Sequence, residues 1–248
     1  MERNYIRGVR LNQLPPEGSY LRDLPVVRSL AALGTLELTR PVTFLVGENG
    51  TGKSTLLEAV AVAAGFNAEG GTRNFQFSTV RTESDLHQYL TLIRTISPRD
   101  GYFLRAESFY NAASYLDELD RTPFCGGALA SYGGKSLRQQ SHGESFLALV
   151  ENRFGGDGLY LLDEPEAALS PSRQLSLLTV MHELEGRHSQ FLIATHSPIL
   201  MAYPGAEVLE LSGAGIRSVY YRQTEHYQLT RRFLEDPERV FHYLFGEP

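Results

Sequence analysis

The sequence predicts an α/β fold with a largely parallel central sheet, and two observations support that prediction. Compact apolar runs at residues 42–46, 158–162 and 191–195 are typical of strands that a parallel sheet buries on both faces. Segments with helical spacing or helix-start signals separate these runs, so strands and helices alternate along the chain. A glycine-rich loop follows the first run and leads into a helical segment.

The other elements are predicted from local patterns in chain order. Strands, marked by apolar or alternating residues between turn signals, are expected at residues 6–11, 36–38, 101–105, 207–211 and 216–221. Helices, marked mainly by apolar residues at helical spacing, are expected at residues 24–33, 54–66, 86–96, 108–119, 146–150 and 170–185, and from 225 onward with an interruption at Pro237. Ser170 and Pro171 supply a capping hydroxyl and a first-turn proline. Residues 68–80 predict a hairpin.

The composition is that of an ordinary globular protein. The 248 residues are 42% hydrophobic and 21% charged, and a net charge of −6 does not favour general nucleic-acid binding, although a local basic patch is compatible with it. The single cysteine, Cys125, excludes an intramolecular disulfide and a cysteine-rich zinc site. Residues 1–5 hold no apolar signal core, and the longest apolar run, 59–64, is too short for a membrane span. We therefore expect one domain over residues 1–248, cytoplasmic and without membrane insertion, with a helical lobe at about 82–140.

The strongest functional signal is a phosphate-binding loop. Its pattern is two glycines around four residues followed by Lys and Ser, and it comprises Gly47, Glu48, Asn49, Gly50, Thr51, Gly52, Lys53 and Ser54. Glycines let backbone N–H groups approach phosphates closely, and the following helix adds the positive end of its dipole. Lys53 is expected to reach the β- and γ-phosphates and Ser54 to bind Mg²⁺, with Thr55 included in the nucleotide site.

Two further strand ends carry residues that suit phosphate chemistry. Asp163 and Glu164 end the second buried run; Asp163 is placed to hold Mg²⁺ through water, and Glu164 to polarise a water aimed at the γ-phosphate. His196 follows the run at 191–195. Because open α/β sheets bind ligands outside the carboxyl ends of their strands, the same edge should also hold Lys53. The other six histidines lack such a position, and we interpret them as structural or solvent-facing.

Ser141 and Gly143 form a fourth signal, because a Ser and a Gly at a helix start make an anion site. In this order the four pieces resemble the ATP-binding-cassette (ABC) ATPases. The corresponding motifs are Walker A at 47–54, the signature at 141–144, Walker B at 161–164, the D-loop at 166–170 and the switch histidine at His196. More closely, the phrases at 103–108, 140–146, 163–166 and 224–228 resemble a branch of stand-alone AAA/ABC-type ATPases, which is RecF- and SMC-like.

The resemblance implies a P-loop NTPase with an ABC-type core, in which a small antiparallel β part and a helical lobe accompany the parallel sheet. It implies ATP and Mg²⁺ as cofactors, with Glu164 and His196 as catalytic residues. Two subunits would face head to tail in an ATP-bound homodimer, with each ATP between one subunit's Walker loop and the other's signature. Closure of that dimer would act on a client, such as DNA or a protein complex.

The chain departs from the family pattern at three places. His142 replaces the first glycine of the signature. The contact that the signature makes with the γ-phosphate across the dimer is therefore expected to differ in geometry from that of the family. No clear glutamine occupies the Q-loop position, for which Glu107 and Gln76 are the alternatives. Tyr20 is the candidate for stacking on adenine.

Other functions stay open on the sequence alone. The chain could be the nucleotide-binding subunit of an ABC transporter with a separate membrane partner, a nucleotide-dependent interaction module with little hydrolysis, or a kinase of a small substrate. The presence of Glu164 argues against the interaction module, because the module has no need of a catalytic base. Residues 55–140 are too few for the long coiled coil of the structural-maintenance enzymes, so an SMC-like chain would be a compact relative.

Overall fold

The computed structural model describes residues 4–72, 84–106 and 142–246, and the elements below are numbered within those ranges. Several predicted features lie outside them: the helix at 108–119, most of the hairpin at 68–80, and Cys125, Gln76, Glu107 and Ser141. The proposed lobe at about 82–140 also lies mostly outside. Its described part, residues 84–106, holds a short 3₁₀ turn and two strands.

A six-stranded sheet forms the centre of the fold. Its strands are Val42–Val46 (β3), Asp100–Arg105 (β5), Gly158–Asp163 (β6), Gln190–Ala194 (β7), Glu207–Ser212 (β8) and Gly215–Ser218 (β9), in the order β5-β6-β7-β3-β8-β9. All neighbours are parallel except β8 and β9, which form an antiparallel hairpin. Every residue of β3, β6 and β7 is buried, so the apolar runs correctly predicted the central strands.

A second, three-stranded antiparallel sheet has the order β2-β1-β4 and comprises Ile6–Leu11 (β1), Thr35–Glu37 (β2) and Leu90–Arg94 (β4). The prediction of a helix at residues 86–96 is therefore wrong, because Asp85–Tyr89 is a 3₁₀ turn and β4 follows it. Leu86 and Leu90 are both buried and stand four residues apart, which imitates helical spacing. Pairing with the open edge of β1 satisfies the backbone of β4 and overrides that local pattern.

Helices cover both faces of the central sheet. The helices of the described ranges are Tyr20–Asp23 (α1), Pro25–Leu33 (α2), Lys53–Ala63 (α3), His142–Arg153 (α4), Pro171–Gly186 (α5), Glu225–Glu235 (α6) and Pro237–Phe245 (α7), of which α2 and α3 pack on one face and α4 and α5 on the other. Because strand side chains alternate in direction, Leu45 and Leu161 pack in one buried cluster with α2 and α3, whereas Phe44 and Leu162 pack in a second with α4 and α5. None of the helices in the described ranges combines the length and apolar character that a membrane span requires.

The three central strands β3, β6 and β7 end at one edge of the sheet, and hydrogen bonds join the residues that follow them. The backbone N–H of Glu164, just after β6, donates to the carbonyl of Ala194 at 2.9 Å. The N–H of Thr195, just after β7, donates to the carbonyl of Leu45 at 3.1 Å. Side chains that follow these strands therefore start from a fixed and shared backbone framework.

Candidate nucleotide-binding site

The phosphate loop that follows β3 needs glycine at two positions where the chain passes close to its neighbours. Gly47 and Gly52 have φ values of 138° and 96°, which side-chain-bearing residues rarely adopt. A Cβ on Gly47 would lie 2.2 Å from the carbonyl oxygen of Leu211 on β8, and one on Gly52 would lie 2.4 Å from Val26 Cγ1 on α2. Packing against β8 and α2 therefore sets the shape of the loop.

Lys53 begins α3, and its ammonium is buried within the loop. The residue is 4% exposed, and its Nζ donates to the carbonyl oxygens of Gly47 at 2.7 Å and Glu48 at 3.0 Å. Burial lowers the pKa of Lys53, while the negative charges of Glu164 and Asp163 oppose that shift. A desolvated cation at a helix start favours an anionic ligand such as a phosphate group.

Most of the remaining predicted loop residues are accessible to a ligand. Glu48, Asn49 and Gly50 are exposed, and Ser54 and Thr55 are half-buried in the first turn of α3. The hydroxyl of Thr51 is directed inward and donates to the carbonyl of Glu48 at 2.8 Å, which stabilises the turn.

Asp163 is the last residue of β6 and is 7% exposed. Its Oδ2 lies 3.5 Å from Nε of Arg105, its register partner at the end of β5, and Nη1 of Arg105 lies 2.6 Å from Glu58 Oε2 on α3. Glu58 stands one helical turn after Ser54, so Arg105 couples the end of β6 to the helix of the phosphate loop. Neither Arg105 nor Glu58 was predicted from the sequence to be part of the site; for Arg105 the available signal was a charged residue at the end of an apolar strand.

Glu164 has a backbone conformation that non-glycine residues rarely adopt. Its φ and ψ are 48° and 52°, in the left-handed region, which costs about 1–3 kcal/mol when the surrounding fold enforces it. Its side chain is 40% exposed and is therefore accessible to a ligand in the same cleft as Lys53. Such local strain is typical of functional positions and supports the predicted placement of this carboxylate.

Glu166 fixes the loop that follows β7, a role that the sequence did not reveal. Its Oε1 accepts from the backbone N–H of His196 at 2.5 Å, and its Oε2 accepts from the hydroxyl of Thr195 at 2.8 Å. Burial raises the pKa of Glu166, and the hydrogen bond from the His196 N–H works in the opposite direction. The 3₁₀ turn Pro165–Ala167 is thus joined to the end of β7.

His196 lies beside Glu164, as the sequence predicted. Its Nε2 is 3.7 Å from Glu164 Oε1, and its Nδ1 is 2.7 Å from Nε2 of His226 in the first turn of α6. Burial lowers the pKa of His196 to about 4, with further contributions from Lys53 and His226. The imidazole is therefore neutral at neutral pH, and its proton occupies one of the two ring nitrogens.

The oxygen donors at this edge fit a magnesium ion that a nucleotide brings with it. Within the described ranges, no group of three or more His, Cys, Asp or Glu side chains could hold a metal ion. Mg²⁺ keeps several waters and is commonly bound by one or two protein oxygens together with phosphates. The hydroxyl of Ser54 and the carboxylate of Asp163 are donors of that type, and the buried Lys53 marks where phosphates would lie.

Gly143 lies in the first turn of α4 and packs against the start of the neighbouring α5. A Cβ there would stand 2.5 Å from Arg173 Nη1 and 3.0 Å from the carbonyl oxygen of Ala168, in the segment predicted as the D-loop. Arg173 in turn bonds to Glu144 Oε1 at 2.9 Å. The N-terminal end of α4 is therefore held to the D-loop segment, while Ser141 lies outside the described residues.

Helix α6 lies across the carboxyl edge of the sheet between two cavities. One, of about 610 Å³, lies between the phosphate loop at Gly47, the end of β8 at Ser212, and His226 and Leu229 of α6. The other, of about 830 Å³, lies on the side of Glu166 and His196. No local sequence pattern connects α6 with the site, although residues 224–228 belong to the family resemblance. Tyr20, the candidate for adenine stacking, is 64% exposed on α1.

Two family models match parts of this chain. Residues 27–106 match a family model described as an AAA domain, and residues 137–202 match a second model, described as an AAA domain and candidate AbiEii toxin of a type IV toxin–antitoxin system. No curated protein sequence matches the chain significantly. Together with the phosphate loop and the polar strand ends, the two models support an ABC/AAA-type P-loop ATPase, in agreement with the resemblance and the fold class predicted from the sequence.

Solved structures with a similar chain path come from ABC and SMC proteins. The SMC head domain from Thermotoga maritima is 15% identical and covers 88% of this chain and 99% of its own, with a TM-score of 0.44. The protein cbiO1 from Clostridium perfringens, part of the ABC transporter complex cbiONQ, is 16% identical over 96% of this chain and 99% of its own, with a TM-score of 0.47. A candidate metal-chelate type ABC transporter in an inward-facing conformation is 16% identical and covers 92% of this chain and 88% of its own, with a TM-score of 0.49.

Proposed function

We propose that the protein is a Mg²⁺-dependent ATPase that hydrolyses ATP bound at the phosphate loop. The observation that supports this most strongly is the convergence of Lys53, Asp163, Glu164 and His196 at the carboxyl edge of β3, β6 and β7. Lys53 and Glu164 interact electrostatically across the cleft, and His196 lies within 3.7 Å of Glu164. A buried cation, two carboxylates and a neutral imidazole at one strand edge suit phosphoryl transfer to water.

Each side chain has a distinct task in this proposal. Lys53 leaves the carbonyls of Gly47 and Glu48 and binds the β- and γ-phosphates. Ser54 and Asp163 would hold Mg²⁺, which when bound neutralises phosphate charge. Glu164 accepts a hydrogen bond from the attacking water and orients it towards the γ-phosphorus. The neutral His196 donates a hydrogen bond to a γ-phosphate oxygen.

We further propose that the complete site needs two copies of the chain, facing head to tail. Gly143 at the start of α4 packs on the D-loop segment at Ala168, which is tied through Arg173 to the same helix. In the ABC arrangement that the sequence resembles, this helix start contacts the ATP held by the other subunit. ATP would then close a homodimer and hydrolysis would open it, acting on a DNA or protein client in the ATP-containing cytoplasm.

The proposed homodimer can be tested with a variant that binds ATP without hydrolysing it. We expect Glu164→Gln to change from a monomer to a dimer when Mg-ATP is added, because closed composite sites persist when hydrolysis is blocked. Multi-angle light scattering with and without Mg-ATP measures this change. The double variant Lys53→Ala/Glu164→Gln is the control and should show no response to ATP. A monomer at an ATP concentration that calorimetry shows to be saturating would refute the dimer.

A further inference from the structure

The contact between His196 and His226 links the end of β7 to α6. The two rings approach edge to face with centroids 4.7 Å apart, and His196 Nδ1 lies 2.7 Å from His226 Nε2. A hydrogen bond between two imidazoles needs one N–H and one lone pair. Of the two facing nitrogens, His196 Nδ1 and His226 Nε2, one therefore carries the proton and the other accepts it.

The opposite nitrogen of His196 decides which ring donates. Its Nε2 is buried and lies 3.7 Å from Glu164 Oε1, and no described residue forms a hydrogen bond with it. A lone pair on Nε2 would face the carboxylate and be repelled by it, whereas an N–H would be attracted. Because His196 is neutral, a proton on Nε2 leaves Nδ1 as an acceptor. The proton in the bond between the two rings then comes from Nε2 of His226.

The fold holds His226 in place for this contact. Thr224 is fully buried and caps the N-terminus of α6, since its Oγ1 accepts from the N–H of Tyr227 at 3.4 Å. The same hydroxyl donates to the carbonyl of Tyr221 at 2.7 Å and lies 3.3 Å from the sulfur of Met201. Met201 belongs to the short 3₁₀ turn that follows the His196 loop. Both histidines are therefore fixed to the same part of the backbone.

We propose that His226 is a positioning residue that donates to Nδ1 of His196 and so keeps the Nε2 proton directed at Glu164 and the γ-phosphate. The proposal rests on the proposed function for the role of His196 at the γ-phosphate. It adds a residue outside the Walker, signature, D-loop and switch segments. The proton distribution between the two rings can be measured without ATP, so this proposal can be tested independently of the ATPase activity.

The variants His226→Gln and His226→Glu form a matched pair. The Gln side chain keeps an N–H donor close to the position of Nε2, whereas the Glu carboxylate of almost the same shape can only accept. His226 is the second residue of α6, where a negative charge is favourable to the helix, so the Glu variant is expected to fold. Equal melting temperatures check this, and His242→Glu on α7 makes the same replacement at an exposed position away from the site.

The first measurement is two-bond ¹H–¹⁵N correlation NMR on ATP-free protein labelled with ¹⁵N-histidine. Loss of a signal in His196→Asn assigns His196. We expect the Nε2–H form of His196 in the native protein and in His226→Gln, and the Nδ1–H or cationic form in His226→Glu. An Nδ1–H form in the native protein, or an Nε2–H form that survives in His226→Glu, would overturn the proposal whether or not the chain hydrolyses ATP.

The second measurement is steady-state ATP hydrolysis, with kcat and KM determined separately. Loss of a group that orients a functional imidazole typically costs about 10–100-fold, so His226→Glu should lose about that much in kcat with little change in KM. His226→Gln should retain most of the activity, and His242→Glu should stay close to the native rate. Equal losses in the Gln and Glu variants would show that the donor is not what matters and overturn the positioning role. Native protein with the expected NMR signature but no hydrolysis would instead refute the proposed function.

Discussion

Replacing Lys53 with alanine is expected to abolish ATP binding. The ammonium of Lys53 is buried and bonded to the carbonyls of Gly47 and Glu48, so in the native protein it is desolvated before the phosphates arrive. Phosphates replace those carbonyls as stronger, charged acceptors, whereas alanine leaves the loop with no cation for them. Isothermal calorimetry with Mg-ATP measures the affinity directly.

The control for this experiment removes one positive charge elsewhere. Arg99 precedes β5, and its side chain is largely exposed, so Arg99→Ala should bind ATP as the native protein does. Equal melting temperatures for the two variants would show that any loss of binding does not come from unfolding. Native affinity in Lys53→Ala would mean that the nucleotide lies elsewhere on the protein.

Replacing Glu164 with glutamine is expected to lower turnover by about 10²–10⁴-fold while ATP still binds. Glu164 is strained, partly exposed and placed between Lys53 and His196, where a carboxylate can accept a proton from water. The amide keeps the shape and loses that capacity. Phosphate release under saturating Mg-ATP gives the turnover, and calorimetry gives the binding.

Glu183 on α5 offers a matched control, because Glu183→Gln makes the same replacement at an exposed position remote from the phosphate loop. Its turnover should equal that of the native protein. If Glu164→Gln retained turnover within a few-fold of the native value, the base would be another group. Glu107, which lies outside the described residues, would then be the next to replace.

The sequence was sufficient to predict the centre of the fold and the phosphate loop. Strands β3, β6 and β7 are buried on both faces, and such strands leave an uninterrupted apolar run in the sequence. The loop at 47–54 combines glycine at tight backbone positions with Lys and Ser at fixed spacing, so its geometry is encoded locally. The positions of Glu164 and His196 then follow from the rule that parallel strands share a carboxyl edge.

Features that depend on contacts between distant segments could not be predicted in this way. Strand β4 was predicted as a helix because local spacing does not reveal its pairing with β1. That pairing joins residues far apart in the chain. The same holds for Arg105, whose partners lie on α3 and β6. It holds equally for His226, which is 30 positions from His196 and meets it only because α6 crosses the strand edge. Local spacing carries no information about such pairs.

A site shared by two subunits can be tested by mixing two inactive variants. Lys53→Ala removes phosphate binding, and Ser141→Arg blocks closure at the signature by size and charge. Ser176→Arg, an exposed position on α5, is the control for the added arginine and should stay active. A heterodimer of the two inactive variants contains one composite site with both changes and one with neither.

The measurement is the ATPase rate of the equimolar mixture compared with each variant alone. If the composite sites work independently, half of the randomly formed dimers carry one intact site, and the mixture should recover about a quarter of the native rate. Each variant alone should be nearly inactive. Full activity of Ser141→Arg by itself, in a sample that light scattering shows to be monomeric during turnover, would show that one subunit carries the complete site.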